Sequence, residues 1–536
     1  MIAVYDYSRL TMSLSNMQSL ITVACIFAAA FTIRGIVLSR RSRNPKRLPL
    51  PPGPRGVPIM GNMSNIPKTK PWEGYQKLCE EYGGMVYLEV LGTKLLVVSR
   101  MDHAEELLEK RSVNTSDRPT IPMVELLEIG WSFAFMKYAA DWRQHRRAFH
   151  QYLNHNAVGQ YHPIMYEEVE IFTRKLRDNP KDFLEHVQVF FGTIIMRSAY
   201  GFDDIGRNRP LIEAAEALVQ GFSEASTQGR FLVNTFPILR HVPAWFPGAG
   251  WRVRFNQLAV MSWDLLHNPW DDAKKDLTEG KQSVHPSMAA SLMNHLGDDA
   301  DPDFTLERSD RWTAEDVARN ACAQAYLAGA DTTVSSASVM ILALANNPHV
   351  QKKAQAEIDR VVGPNRIPSV SDRDSLPYLH AIVKEVNRYY TVVPLGVPHT
   401  VTEDEEYNGY FIPKDTMILP NSWAMMHDPN TFEKPFEFIP ERFLTKDGEF
   451  DESVPGPEYA AFGFGRRICP GRYFSDDAFF AMAASVLTQF DITPSEKDVL
   501  GNPVQIKLEL MDHTVAKPSA FKVDITPRPG RENLVM

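Results

Sequence analysis

The sequence predicts a mainly α-helical protein with a small β region, preceded by a single N-terminal transmembrane helix. Three observations predict this class. Helix-like segments recur along most of the chain, and one of them, at residues 313–346, is long enough to cross a whole domain. Strand-like runs are few and short, and turn residues separate them. An uncharged stretch at residues 10–33, mostly apolar from Leu20 on, stands ahead of a basic cluster.

Composition is that of an ordinary globular protein. A chain of 536 residues suffices for one large domain or two smaller ones, with ample core. Its 38 prolines point to long, well-defined loops. A net charge of −9, from 57 basic and 66 acidic residues, argues against nucleic acid as a partner. Cys25, Cys79, Cys322 and Cys469 are scattered, which argues against a disulfide framework and for a reducing compartment.

Taken in order, residues 1–13 form a short lumenal N-terminus and residues 14–38 a transmembrane signal-anchor. Arg34 lies near the end of the apolar run and can snorkel to the interface. Arg40, Arg41, Arg43, Lys46 and Arg47 follow, and such a cluster stays cytoplasmic. A cleavable signal peptide is the rival reading, with Ala28-Ala29-Ala30 as its cleavage site. Most of the basic residues come after the apolar run rather than before it, which favours the anchor. Residues 39–55 form a basic and proline-rich hinge, whose prolines stiffen it into a spacer. Residues 56–536 make up the main domain.

Residues 72–82 read as a helix, and residues 85–90 and 95–98 as strands of a hairpin broken at Gly92-Thr93. A helix containing Glu105 and Glu106 comes next. Residues 112–140 show no period and carry Phe133, Phe135, Met136 and Tyr138; a loop of that length in a compact domain tends to be functional. Trp142 and Arg146 then lie one helical turn apart on one face, with Arg143 and Arg147 on others. A solvated basic face is the plainer reading of these arginines. Residues 161–270 read as helices broken by Pro237, Pro243 and Pro247, and core packing accounts for most of Phe222, Phe231, Phe236 and Trp245. Residues 297–310 are acidic and read as an exposed loop.

The long helix starts at Thr313-Ala314-Glu315-Asp316, a capping-box pattern, and stops before Pro348. It spans some 30 residues, roughly 45–50 Å. Ala328-Gly329-Ala330-Asp331-Thr332-Thr333 sits in its middle. Asp and Thr are poor helix formers and costly to desolvate there, and Gly329 leaves room for a small ligand or water. The plainer reading is a threonine bonded back to a carbonyl and an aspartate in an ion pair. Glu385 and Arg388 share a helical face and can pair, and Phe438-Ile439-Pro440-Glu441-Arg442-Phe443 follows. Between these lie Leu395, Val397 and His399, and a hairpin is expected at residues 407–419 around Asn408-Gly409. Residues 506–525 have strand character.

One cysteine, Cys469, sits in the glycine-rich turn of residues 462–471, ahead of an apolar helix-like run. Backbone N–H groups in such a turn can stabilise a thiolate. A single thiolate in apolar surroundings suits haem iron, whereas zinc needs further ligands that no nearby Cys or His supplies. A buried structural cysteine is the plainer alternative.

Phe462, Gly465, Arg467, Cys469 and Gly471 fall at the spacing F-x-x-G-x-R-x-C-x-G, which resembles the haem-binding loop of the cytochrome P450 family. Trp142/Arg146, residues 328–333, Glu385/Arg388 and residues 440–443 match four other landmarks of that family, in order. The resemblance covers essentially the whole chain and is closest to microsomal, fungal biosynthetic members.

It implies a cytochrome P450 fold around one haem b, with Cys469 as the axial thiolate. Trp142 and Arg146 would hold a propionate, and His399 another contact of that kind. Asp331 and Thr332 would relay protons to dioxygen, and Glu385, Arg388 and Arg442 would form a structural network behind the haem, holding the cysteine loop. The loop of residues 112–140, Leu395, Val397 and residues 510–515 would line the substrate pocket, and residues 161–270 a lid meeting membrane lipid.

The implied activity is a haem-thiolate monooxygenase that inserts one atom of O2 into an apolar small-molecule substrate in fungal secondary metabolism. Electrons would come from NADPH through NADPH–cytochrome P450 reductase, docked with the help of Arg143 and Arg147. The implied location is the endoplasmic reticulum membrane, single-pass, with the catalytic domain in the cytosol. Three rivals stand beside this reading. They are a family member that isomerises or dehydrates without O2, a non-catalytic haem-binding protein, and a membrane-tethered adaptor. NADPH dependence, turnover and haem content separate them in turn.

Overall fold

The computed structural model describes residues 43–227, 230–281, 283–296, 311–531 and 534. The expected lumenal residues, transmembrane anchor and acidic loop of residues 297–310 lie outside the described residues. The chain forms two compact units. The larger holds Pro52–Thr402 and Asp415–Met536, and the smaller joins the chain up to Pro51 with Glu403–Lys414.

The larger unit is built on eleven main helices among the described residues: α1 (Pro71–Tyr82), α2 (Ala140–Leu153), α3 (His162–Asp178), α4 (Phe183–Tyr200), α5 (Ile205–Ser226), α6 (Gly250–Thr278), α7 (Met288–His295), α8 (Ala314–Asn346), α9 (Pro348–Val361), α10 (Pro377–Tyr389) and α11 (Arg472–Gln489). Its main sheet has strands β1 (Met85–Val90), β2 (Thr93–Val98), β3 (His399–Thr400) and β4 (Met417–Pro420), in the order β1-β2-β4-β3. β1 and β2 are antiparallel, β2 and β4 parallel, and β3 returns antiparallel to β4. A second antiparallel pair, β5 (Phe490–Pro494) and β6 (Val523–Pro527), follows α11.

Local chemistry explains most boundaries. The Thr313 hydroxyl accepts from the Asp316 N–H at 3.1 Å, and the Asp316 carboxylate accepts from the Thr313 N–H at 2.9 Å. This reciprocal cap starts α8, and Pro348 begins the next helix. The 33 residues of α8 make it about 50 Å long. It is apolar nearly all round, as a helix buried on every side must be, and packs on α2, α4, α5 and α11. Among the described residues it alone is long and apolar enough to cross a bilayer, and its burial makes it a core helix.

Four expectations need correction. β2 begins at Thr93 rather than residue 95, because the turn falls on Leu91 and Gly92, both at positive φ (48° and 85°). Residues 407–419 are not one hairpin: the hairpin pairs Glu405–Tyr407 with Tyr410–Ile412, and β4 belongs to the main sheet. In residues 506–525, only the β6 segment pairs as a strand; Leu510 and Pro518 form a single bridge before it. Phe236 and Trp245 are not core residues, at 50% and 81% exposed, since the segment between α5 and α6 has only short 3-10 turns to bury them.

In the smaller unit, the hairpin turns at Asn408 and Gly409, both at positive φ (49° and 78°). The Phe411 N–H donates to the Pro49 carbonyl at 2.8 Å. Arg43 Nε donates to Asp404 at 2.7 Å, and Lys46 pairs with Glu406 at 2.7 Å. The basic hinge is thus bound to an acidic hairpin.

Candidate haem-thiolate site

The Cys469 loop enters from a helical turn, Glu458–Ala461, and leaves into α11. It folds back on itself through the Cys469 N–H, which donates to the Phe462 carbonyl at 2.8 Å. Gly465 has φ 53°, and a Cβ there would lie 2.2 Å from the Leu108 carbonyl oxygen, so no other residue fits. Its N–H donates to Glu109 at 2.8 Å. Gly471 caps the N-terminus of α11, with open space where its side chain would be.

Burial pushes the Cys469 thiol up; the backbone N–H groups of Gly471 and Arg472 and the guanidinium groups of Arg146 and Arg472 pull it back. The residue nonetheless keeps some accessible surface. Partial access with heavy desolvation means that the sulfur faces a confined space. Donors at the start of a helix aimed at a sulfur favour its thiolate form.

Positive charge collects beside this loop. Arg467 is buried and donates to the carbonyls of Ser116 (2.7 Å), Phe133 (3.2 Å) and Met136 (2.7 Å). Its guanidinium lies 4.5 Å from the centre of the Trp142 ring, a cation–π contact. Arg118 donates to the carbonyls of Ala134, Val397 and Pro398 at 2.8–2.9 Å. Arg146 is half-buried and forms no hydrogen bond or ion pair with any described residue. His399 is buried in β3, its Nδ1 2.8 Å from the Thr115 carbonyl oxygen.

Burial lowers Arg467 to about 9 and Arg146 to about 10, so both stay charged at neutral pH. Burial, followed by the charge of Arg118, holds His399 well below the usual histidine range and therefore neutral. Three guanidinium groups whose hydrogen-bond acceptors are at most backbone carbonyls suit a dianionic ligand. The two propionates of a haem are such a ligand, and the enclosed thiol stands beside them. The residues present fit the group. Arg118 is absent from the sequence-based set: it lies in the aperiodic loop, and only the fold brings its three carbonyl partners to it.

On α8, the Asp331–Thr332 step sits mid-core. Ala328 is exposed and Thr332 half-buried although the helix around them is buried, so this face lines an internal space. The Thr332 hydroxyl donates to the Ala328 carbonyl at 3.0 Å. Asp331 is 2% exposed; its Oδ1 pairs with Lys517 at 2.7 Å, and its Oδ2 is buried with no hydrogen-bond partner. Both features of the plainer reading are present, and an unsatisfied carboxylate oxygen stands beside them. Gly329 does not open a space on its own side. A Cβ there would meet Ile195 at 3.2 Å, so the glycine lets α4 approach.

The third group is a closed ionic network. Glu385 and Arg388 are fully buried and paired at 2.8 and 2.9 Å. Arg442 adds contacts of 3.1 and 3.2 Å to the same carboxylate, and the Ile439 N–H adds one of 2.8 Å. Arg388 also donates to the carbonyls of Met426, Pro435 and Glu437. These bonds secure residues 426–442 rather than the cysteine loop itself. Lys384, on the same helix, reaches the entry of that loop by pairing with Glu458 at 2.8 Å.

A family model described as cytochrome P450 matches residues 51–514. The chain belongs to the cytochrome P450 family. It is 48% identical to a protein named cytochrome P450 monooxygenase COX1 of Coprinopsis cinerea, over 96% of this chain and 98% of that one. It is 38% identical to cytochrome P450 monooxygenase COX2 of the same fungus, over 96% and 97%. It is also 33% identical to the tryptamine 4-monooxygenase of Psilocybe cyanescens, over 94% and 98%. This P450 is a monooxygenase by class, and the family implies a haem with its iron on a thiolate. Cys469, Arg146, Arg467, Arg118 and His399 are the residues that would hold it.

Proposed function

We propose that this P450 inserts one atom of O2 into an apolar small molecule of fungal secondary metabolism, with electrons from NADPH through a separate reductase. The observation that carries it is the Asp331–Thr332 step, a carboxylate and a hydroxyl at the middle of the core helix, one of them with an unsatisfied buried oxygen. Haem bound at Cys469 supplies the oxygen-activating redox chemistry. The chain's own residues do the rest. Gly471 and Arg472 hold the thiolate charge, and the guanidinium groups orient the cofactor. Asp331 takes protons in, and the Thr332 hydroxyl, turning away from the Ala328 carbonyl, passes them to dioxygen. Fungal relatives named monooxygenases over nearly the whole chain support the reading. Exposed Arg143, Arg147 and Arg466 offer a basic surface to an acidic electron donor.

The test is the ratio of product formed to NADPH oxidised, with hydrogen peroxide counted alongside. Thr332→Ala is expected to keep fold, haem content and substrate binding while more NADPH ends as peroxide. Asp331→Asn is expected to slow NADPH consumption itself, within the roughly 100-fold or more that a general acid contributes. An unchanged ratio in Thr332→Ala would leave that hydroxyl a helix-bonding group only.

We assign the enzyme to the endoplasmic reticulum membrane, anchored by residues 14–38 with its catalytic domain in the cytosol. The uncharged run, the basic cluster behind it and the exposed Phe236, Ile238, Trp245 and Phe246 support this. Removal of residues 1–38 is expected to shift much of the protein into the soluble fraction with haem still bound. Full-length protein already soluble without detergent would defeat the assignment.

A further inference from the structure

Asp331 does not stand alone. A cavity of about 380 Å³ opens beside it, lined by Gln188, Glu216, Asp331, Ser335, Ser338 and Lys517 among others. Lys517 comes from the C-terminal loop, 2.7 Å from Asp331 Oδ1 and 4.0 Å from Glu216. The Lys517 and Glu216 side chains are about one-third exposed (31% and 29%), while that of Asp331 is 3% exposed. A polar route therefore runs from solvent through Glu216 and Lys517 to the carboxylate.

The loop that carries Lys517 is well fixed. Its Met511 N–H donates to the Lys517 carbonyl at 2.9 Å, and the Ala516 N–H to the Val392 carbonyl at 2.9 Å. The Tyr390 hydroxyl bonds the Ala516 carbonyl. On the other side Thr514 meets Ser226 of α5 at 3.0 Å. A lysine on a firm loop can aim a carboxylate.

We infer that Lys517 is a positioning residue for proton delivery: it holds Asp331 by Oδ1, so that Oδ2 is kept for the proton, and the cavity it lines is where that proton enters. This rests on the relay reading of Asp331–Thr332. Lys517 takes no part in the transfer itself. A proton from cavity water binds Asp331 Oδ2, passes to the Thr332 hydroxyl as that group gives up its own, and Asp331 is recharged from the cavity. Burial pushes Glu216 up, with Lys517 opposing, which agrees with a titratable group at the mouth of the path.

The experiment compares Lys517→Met and Lys517→Arg haem-loaded proteins with wild type. The first readout needs no turnover. A carboxylate that is 2% exposed and stripped of its cation is expected to take up a proton. Lys517→Met should therefore gain a protonated-carboxyl infrared band that is absent from wild type and from Lys517→Arg, and that a second change, Asp331→Asn, removes. The second readout is product per NADPH, expected to fall roughly 2- to 30-fold in Lys517→Met, with substrate affinity unchanged and Lys517→Arg restoring most of the yield. No new band, or a band with unchanged yield while Asp331→Asn still slows consumption, overturns the role of Lys517 and leaves the relay reading standing. If Asp331→Asn also leaves consumption unchanged, the relay reading fails, and this inference with it.

Discussion

Cys469→Ser protein is expected to lose the carbon monoxide spectrum of a thiolate-ligated haem, together with monooxygenase turnover. Among the described cysteines only Cys469 lies beside Arg146; Cys79 and Cys322 are buried elsewhere in the core. Serine keeps the shape of the loop, since the 2.8 Å bond from the residue-469 N–H to Phe462 is a backbone one. It cannot keep the charge, because a hydroxyl beside the Gly471 and Arg472 N–H groups stays protonated where a thiol need not. The fall in turnover should exceed the roughly 100-fold that loss of an outer-shell partner costs at a metal centre. Thermal unfolding of the same sample separates loss of the ligand from loss of the fold. Survival of the wild-type spectrum would mean that another group holds the iron.

Glu385→Gln is the second large effect, and it should strike the fold. The wild-type carboxylate accepts from both nitrogens of one guanidinium, from Arg442 and from the Ile439 N–H. Glutamine has one acceptor oxygen and no charge, so two buried arginines would face each other without a counter-ion. Breaking a buried pair by removing one partner costs about 3–5 kcal/mol, a large share of the 5–15 kcal/mol that holds a typical domain together. The expected outcome is a poor yield of haem-loaded protein and a clearly lower midpoint of thermal unfolding. Glu385→Asp, which keeps the charge but shortens the reach, should fall between. A midpoint equal to wild type would show that residues 426–442 are held by other means.

Local chemistry was readable from the sequence wherever it is local in fact. The Thr313–Asp316 cap needs only four residues, and the turn at Asn408-Gly409 only two. The cysteine loop is legible in part for the same reason: its own backbone bond from Cys469 to Phe462 closes the turn, while the approach of Leu108 to Gly465 is not local. The helix face that joins Trp142 to Arg146 follows from helical spacing alone.

What stayed hidden depends on distant partners. Arg118 is fixed by carbonyls 16 and about 280 residues away, and no pattern within residues 112–140 marks it. Lys517 meets Asp331 only because the last loop returns to the core helix. Trp245 is exposed all the same, because hydrophobicity tells how much a side chain gains from burial, not whether the fold supplies a place for it. Residues 506–525 read as strand, yet before β6 they pair only at the Leu510–Pro518 bridge, since a strand also needs a neighbour.

The bond between hinge and hairpin has a consequence in time. Arg43 and Asp404 are 361 residues apart, and Lys46 and Glu406 are 360 apart. A ribosome adds roughly 5–20 residues per second, so the hinge emerges roughly 20–70 s before its hairpin exists. Through that interval its basic residues have neither Asp404 nor Glu406 to bind, and whatever anionic surface lies nearest can hold them instead. The hairpin therefore arrives as a late competitor for a segment made long before it.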